Sequence, residues 1–223
     1  MAQLSLFGRA DEPAIVDGSL ASLERVELGD GAWLDVARGW LRGEAAIFEL
    51  LRAQVAWRSE RRKMYDRTVD VPRQIGVAPD DDAAPLHPVL DDMRRALERH
   101  YAMRFPRLSF AYYRDGRDSV AWHGDYVARH MREALVATVS VGAPRRFLLR
   151  PAAGGPSRAL SLGWGDLVVM GGTCQRTYRH SIPKVAHAAP RIAIMLRPHW
   201  PENPAANDDD ASPADDRRRD ELR

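Results

Sequence analysis

The feature that most constrains the fold of this chain is a change of hydrophobic periodicity near Arg107. Before it, apolar residues recur at three- and four-residue steps, which is typical of amphipathic helices. After it, short apolar runs alternate with Gly, Pro and Asp, which predicts the closely spaced strands of a β-sandwich or barrel. The predicted strands are Leu108–Arg114, Ser119–His123, Leu135–Val141, Arg146–Arg150, Arg158–Leu162, Leu167–Met170, Tyr178–Ile182 and Arg191–Arg197.

Two helical patterns precede the strands. One runs from Ala45 to Trp57, and the other runs from Pro88 to Tyr101, where proline suits the first helical turn. Helices first and strands afterwards favour a single α+β unit in which the helices buttress a sheet.

The predicted domain covers residues 21–200. Residues 1–20 are expected to form a flexible N-terminal arm. The tail 201–223 is rich in Asp, Ala, Pro and Arg and has too little apolar content to fold alone, so it is predicted to be disordered.

The charge of the chain is unevenly distributed. The formal net charge is +2, but the tail 201–223 holds eight acidic and four basic residues, so residues 1–200 carry about +6. The stretch from Arg52 to Arg73 alone contains seven basic and three acidic residues. A basic body suits a polyanionic partner, although so modest an excess is also compatible with an ordinary solvated surface.

Several classes of protein are disfavoured by composition. No apolar run approaches the roughly 20 residues of a membrane helix, so no membrane partner is expected. The N-terminus lacks the pattern of a signal peptide. Cys174 is the one cysteine, so no internal disulfide can form, and a reducing cytoplasmic location is expected. The sequence does not indicate an oligomeric state.

A candidate metal motif lies in Trp122-His123-Gly124-Asp125 and at the more distant His180. In a strand, residues two apart point to the same side, so His123 and Asp125 can converge while Gly124 keeps the other side clear. Two histidines and one carboxylate on one face of Fe(II) leave three positions open for chemistry. Each part is weak alone: His-X-Asp also occurs in surface turns, and a histidine in an apolar strand is often structural.

A pair of arginines follows the metal motif. Arg191, Ala193, Met195 and Arg197 should share one face of the last strand, with the two arginines roughly 20 Å apart. Two extended side chains could hold a five-carbon diacid between them, because the planar guanidinium grips a carboxylate with two parallel hydrogen bonds. The alternative is a pair of exposed strand arginines.

Three ordered blocks of the chain resemble the AlkB family of Fe(II)- and 2-oxoglutarate-dependent dioxygenases. They are Tyr112–Asp125, Gln175–Lys184 and Pro190–Pro198. Val71-Pro72-Arg73 also resembles the start of that family's nucleotide-recognition segment, and the likeness spans about Met64 to Pro198. The resemblance implies a double-stranded β-helix (jelly roll) buttressed by the N-terminal helices, with a nucleotide-recognition lid at about residues 58–85.

The resemblance also implies roles for individual residues. The catalytic iron ligands would be His123, Asp125 and His180. Tyr113 would hydrogen-bond 2-oxoglutarate, Arg191 would clamp its distal carboxylate, and Arg197 would lie near its metal-bound end. The residues facing the substrate would be Arg73, Tyr65 and Tyr126.

The activity implied by the resemblance needs Fe(II), 2-oxoglutarate and O2. The cosubstrate is decarboxylated to succinate while a substrate C–H bond is hydroxylated, and a hydroxylated N-methyl group leaves as formaldehyde. The expected reaction is oxidative demethylation of alkylated DNA or RNA bases, as in DNA repair. Two alternatives stay open: the same chemistry on a protein or small-molecule substrate, and a binding module without turnover.

Four positions depart from the family pattern. Ala111 and Ala193 replace asparagines near the cosubstrate, which should weaken its binding. Val77 stands in the approximate place of an aromatic residue that stacks on the base, a contact of about 1–3 kcal/mol. Val127 stands where several relatives have an acid. Residues that could replace the stacking platform, or simply pack in the core, are Trp57, Tyr65, Tyr112, Tyr126 and Tyr178.

Overall fold

The computed structural model describes residues 12–64, 67–78, 86–124 and 133–198. Most elements are antiparallel strands, with few helices. The helices are α1 (Glu44–Gln54), α2 (Pro88–Tyr101) and the single turn α3 (Cys174–Thr177). The strands are β1 (Ile15–Val16), β2 (Glu24–Gly29), β3 (Ala32–Ala37), β4 (Leu41–Arg42), β5 (Arg58–Met64), β6 (Arg67–Val77), β7 (Arg107–Tyr113), β8 (Val120–His123), β9 (Val136–Gly142), β10 (Arg145–Pro151), β11 (Arg158–Leu162), β12 (Asp166–Gly172), β13 (Tyr178–Ile182) and β14 (Arg191–Arg197).

Two antiparallel sheets dominate the described part of the chain. The large sheet has the order β2-β3-β12-β9-β14-β7-β6-β5, and the small sheet has the order β11-β10-β13-β8. Sequence neighbours are often not sheet neighbours, since β14 inserts between β9 and β7. Two stacked sheets with such crossovers form the jelly-roll arrangement that the sequence predicts.

Alternation along the strands separates two cores. Ile192, Ile194 and Leu196 of β14 pack with residues of α1 and α2 in what we call the outer core. Ala193 lies on the opposite face of the same strand and packs between the two sheets, in the inner core. The large sheet is therefore buried on both faces, with helices on one side and the small sheet on the other.

The helix α2 begins and ends where the sequence predicts. Pro88 occupies the first turn of α2, and the side chain of His87 accepts a hydrogen bond from the backbone N–H of Val89 over 3.1 Å. Ala102, with φ of 50°, ends the helix in the left-handed region. The second predicted helix matches α2 at both ends, whereas the first ends at Gln54, three residues before the predicted end at Trp57.

All eight strands predicted after Arg107 are present, as β7 to β14. The strands before it were missed. The region predicted as a lid contains the hairpin β5–β6, which pairs with β7 at the edge of the large sheet. In the region predicted as a flexible arm, β1 pairs with β4 and Leu20 is buried, so this described part packs onto the domain. Residues 79–85 of the predicted lid and the tail 201–223 lie outside the described residues.

None of the helices among the described residues is both long enough and apolar enough to span a membrane.

Candidate active site

The two predicted histidine ligands lie side by side on neighbouring strands of the small sheet. His123 is the last residue of β8, and it lies directly opposite His180 in the antiparallel pair with β13. Their ring centroids are 4.2 Å apart, with the ring planes inclined at 51°. Metal–imidazole bonds are about 2 Å long, so two rings at this separation can bind one ion.

A β-bulge directs His123 to this position. Val120 pairs with Ile182 and His123 with His180, so three steps along β8 match two steps along β13. Simple alternation would place Val120 and His123 on opposite faces, but the extra residue turns both toward the interior. Val120 packs against the inner core, as this geometry requires.

The backbone also sets the tautomer of His123. Its Nδ1 atom lies 2.9 Å from the carbonyl oxygen of Ala121. A carbonyl oxygen only accepts hydrogen bonds, so Nδ1 carries the proton and donates. The other ring nitrogen, Nε2, then keeps the lone pair that a metal ligand needs.

Gly124 lies where two backbone segments approach closely. A Cβ atom at this position would be 2.7 Å from the carbonyl oxygen of Gln175 and 3.4 Å from that of Tyr178. Only glycine therefore fits between the two ligands of the predicted His-X-Asp motif. The third predicted ligand, Asp125, lies outside the described residues, and no group of three His, Cys, Asp or Glu side chains meets within the described ranges.

Phe147 supports the second histidine. Its ring stacks on His180 with centroids 5.4 Å apart and an interplanar angle of 23°. Phe147 and Leu149 are buried on the inner face of β10, and Leu149 pairs with His180. The sequence analysis did not single out Phe147, although the residue lies within the predicted strand Arg146–Arg150.

Arg191 is a buried cation that faces the same interior. It is 1% exposed, and its Nη2 donates to the hydroxyl of Ser140 over 2.6 Å. Its Nε has no hydrogen-bond partner among the described residues. Within the same residues, the Arg191 side chain forms no ion pair with an acid. Burial lowers its pKa, although the neighbouring Tyr113 opposes the shift. A buried guanidinium of this kind suits an anionic ligand, because an uncompensated buried charge is costly.

Tyr113 lies beside Arg191. The two residues pair directly between β7 and β14, and the guanidinium carbon lies 5.3 Å from the centroid of the Tyr113 ring. Tyr113 is buried in the inner core. The structure thus places Tyr113, predicted to hydrogen-bond 2-oxoglutarate, beside Arg191, predicted to clamp its distal carboxylate.

Arg197 lies at the other end of β14. The predicted shared face is confirmed, since Ala193 and Met195 between the two arginines both contact the inner core. Arg197 donates from Nη1 to the hydroxyl of Ser109 over 3.0 Å.

The two alanines that depart from the family pattern form one patch of the interior wall. Ala111 and Ala193 pair directly, and both are buried in the inner core. Ser140 pairs with Ala193 from the other side, so a hydroxyl that binds Arg191 stands in the same row.

Arg145 was missed by the sequence reasoning. It is 3% exposed and donates to the carbonyl oxygens of Asp115, Asp118 and Pro183 over 2.8–2.9 Å. These bonds join the β7–β8 loop to the segment after β13, next to both histidine-bearing strands. The signal was an arginine at an inward position of a strand whose next inward residues are Phe147 and Leu149.

The residues predicted to meet a substrate are only partly described. Arg73 of β6 is half-buried and alternates with Ile75, which packs against the inner core, so Arg73 faces the interior. Val77 follows on the same face and is 71% exposed. Tyr65, Tyr126 and Val127 lie outside the described residues.

The remaining aromatic candidates for a stacking platform pack in the cores. Trp57 and Tyr112 contact the outer core with ring centroids 5.1 Å apart, on the face away from the histidines. Tyr178 packs against the inner core and donates its hydroxyl to the carbonyl oxygen of Leu28.

Comparison with known proteins decides the family. The family model described as the 2OG-Fe(II) oxygenase superfamily matches residues 45–208. The chain belongs to the 2OG-Fe(II) oxygenase superfamily. It is a 2-oxoglutarate-dependent dioxygenase, and the match extends the resemblance from the strands back to α1.

Similar proteins lie among the AlkB-like members of the superfamily. This oxygenase is 28% identical over 226 residues to alpha-ketoglutarate-dependent dioxygenase alkB homolog 3 of Homo sapiens, covering 87% of this chain and 76% of the human protein. It is 26% identical over 220 residues to DNA oxidative demethylase ALKBH2 of Arabidopsis thaliana, covering 79% and 69%. The AlkB resemblance of the sequence is thereby confirmed.

Solved structures share the fold of this oxygenase. The solved structure of OsALKBH1 superimposes on this chain with a TM-score of 0.54 at 14% identity. The superposition covers 79% of this chain and all of the OsALKBH1 chain. An oxidoreductase of the 2OG-Fe(II) oxygenase family from Burkholderia pseudomallei gives 0.52 at 15% identity, covering 74% and 84%. At this identity the likeness establishes the jelly roll alone.

The described residues fit the cofactors that the superfamily implies. Two imidazoles face one point, as the iron of a two-histidine, one-carboxylate site requires. The buried Nε of Arg191, which has no partner in the described part of the chain, fits a carboxylate of 2-oxoglutarate.

Proposed function

We propose that this dioxygenase oxidatively demethylates alkylated bases in nucleic acid. The observation that carries the proposal is the directly opposed His123–His180 pair, which faces the same interior as the buried Arg191. The AlkB-like relatives, one of them a DNA oxidative demethylase, support a nucleic-acid substrate. The basic stretch from Arg52 to Arg73 adds support, because phosphates favour a cationic surface.

We propose that His123, Asp125 and His180 hold Fe(II). When bound, Fe(II) with 2-oxoglutarate and O2 supplies the oxidation of a substrate C–H bond. The protein contributes geometry: the bulge aims His123, Phe147 limits the tilt of His180, and the Ala121 carbonyl orients one imidazole.

We propose that Arg191 binds the distal carboxylate of the cosubstrate and that Tyr113 hydrogen-bonds the cosubstrate. The guanidinium is buried from water and its Nη2 is already oriented by Ser140. Little side-chain ordering is therefore needed when the carboxylate binds. Arg197 would contribute near the other carboxylate. Ala111 and Ala193 leave this wall without side-chain amides, which predicts weaker binding of 2-oxoglutarate than an asparagine pair would give.

The hairpin β5–β6 is proposed as the nucleotide-recognition lid. It forms the edge of the large sheet, and Arg73 on its inner strand faces the interior. Tyr65 and Tyr126 are proposed as further substrate contacts. A base must leave the stack to reach a buried metal, so single-stranded or flipped substrates are expected.

The test is release of formaldehyde from methylated DNA and RNA oligonucleotides in the presence of Fe(II) and 2-oxoglutarate. We expect release from the native protein and none from a His123→Ala variant. Equal release by the two proteins, or none by either, contradicts the proposal. Succinate formation without activity on any oligonucleotide favours a protein or small-molecule substrate instead.

A further inference from the structure

The small sheet is unusually positive. Its four described strands contain five arginines and neither aspartate nor glutamate. These arginines are Arg145, Arg146, Arg150, Arg158 and Arg179. An interior flanked by a sheet of one charge sign attracts anionic ligands.

The arginines of this sheet differ in the face that they occupy. Arg145 is buried and bonded to backbone carbonyls. Arg146, Arg150 and Arg179 alternate with inward residues and lie on the outside, where the guanidinium of Arg150 covers the Trp122 ring at 4.2 Å. Arg158 alternates with Leu160 and Leu162, which pack in the inner core, so it points to the inner side.

Arg158 lies in one register row with the two histidines. His123 pairs with His180, His180 with Leu149, and Leu149 with Arg158. Residues directly opposite in antiparallel strands share a face, and two strand spacings place the Cα atoms of His180 and Arg158 about 10 Å apart. Arg158 therefore lies on the same face of the small sheet as the two histidines.

The charge of Arg158 is available to a ligand. The residue is exposed at the start of β11, the edge strand of the small sheet, and forms no ion pair among the described residues. Arginine binds phosphate with two parallel hydrogen bonds from its planar guanidinium. An exposed guanidinium in the same register row as the histidines therefore suits a charged group attached to a substrate whose reacting end lies at the histidines.

We propose that Arg158 binds a backbone phosphate of the single strand whose alkylated base enters the site. This inference rests on the proposed function, because it assumes a nucleic-acid substrate. In this role Arg158 binds and positions the nucleic-acid strand and does not contribute to the histidine site itself. The contact is to the phosphodiester, which DNA and RNA share.

The test compares Arg158→Ala with Arg146→Ala, which removes an exposed arginine from the outer face of the same sheet. Fluorescence anisotropy measures binding of labelled, methylated DNA and RNA single strands of one sequence at several salt concentrations. We expect Arg158→Ala to bind both strands about tenfold more weakly at low salt, with the salt slope reduced by about one. Arg146→Ala should bind as the native protein does.

A second measurement separates phosphate binding from damage to the site. Turnover of a methylated nucleoside, which has no phosphate, should be equal in Arg158→Ala and the native protein, while turnover of oligonucleotides falls in the variant. Unchanged oligonucleotide binding in Arg158→Ala, or equal losses on nucleoside and oligonucleotide, overturns the inference. If the native protein binds oligonucleotides but releases no formaldehyde from them, the proposed function fails, while the binding comparison still decides the role of Arg158.

Discussion

The buried guanidinium of Arg191 donates to the hydroxyl of Ser140 over 2.6 Å, from one strand of the large sheet to the next. No acid in the described part of the chain forms an ion pair with it. The folded protein therefore holds a desolvated cation whose orientation is set before a ligand binds.

Replacement of Arg191 should weaken the binding of 2-oxoglutarate far more than it lowers the stability of the fold. We expect Arg191→Met to raise the KM for 2-oxoglutarate by at least about 30-fold, because loss of one partner of a buried charge pair costs about 2–5 kcal/mol. Thermal unfolding without ligand should be unchanged or at higher temperature, since an unbalanced buried charge is removed. Ser140→Ala should raise KM only a few-fold, and a native KM in Arg191→Met contradicts this role.

Gly124 should not tolerate a side chain. A Cβ atom would lie 2.7 Å from the backbone oxygen of Gln175, so β8 must move away from α3. We expect Gly124→Ala to lower the free energy of unfolding by about 1–3 kcal/mol and to weaken metal binding. Urea unfolding and metal titration measure both effects. Gly18→Ala is the matched control, because its nearest atom is the flexible end of Arg99 at 3.4 Å; equal behaviour of the two variants would contradict the prediction.

Arg145 should act through its three carbonyl partners. Lysine keeps the charge but lacks the planar fork, so Arg145→Lys should leave buried oxygens unsatisfied and destabilise the fold by about 1–3 kcal/mol. The neighbouring Arg146→Lys, on the exposed outer face, should change stability by less than about 0.5 kcal/mol. The denaturant concentration at the unfolding midpoint is measured for both variants. Equal midpoints for Arg145→Lys and Arg146→Lys would contradict the prediction.

Cys174 should be chemically inert in the native protein. Burial raises the pKa of its thiol to about 12, and the residue is 1% exposed. At pH 8 about one thiol in ten thousand is then ionised, so alkylation by iodoacetamide should be slow until urea unfolds the chain. The rates of alkylation with and without urea test this, and equal rates would show an accessible thiolate.

The sequence predicts best where burial imposes a period. β7 to β14 contain short apolar runs because each contacts a core, and α2 carries both a capping residue and a proline at its start. The hairpin β5–β6 was interpreted as a basic stretch and as a lid, and its strands were missed, because they depend on pairing with β7. Strand pairing between distant segments cannot be predicted from a local sequence pattern.

Site residues show the same division. The histidines and Arg191 were predicted by residue type and order; the structure places the histidines on the small sheet and Arg191 on the large sheet, and their binding roles stay predictions. The bulge that turns His123 inward was not predictable, because it depends on how β8 registers with β13. Arg145 was missed for a different reason: its partners are backbone carbonyls, which leave no signature in side-chain identity.

The central claim is that His123 and His180 bind one iron together. Anaerobic titration of Fe(II) by calorimetry tests it most directly, with the native protein, His123→Ala, His180→Ala and the exposed His187→Ala as control. We expect one ion per native chain, native affinity in His187→Ala, and affinity at least about 100-fold weaker in both site variants. Native affinity in either site variant would contradict the account.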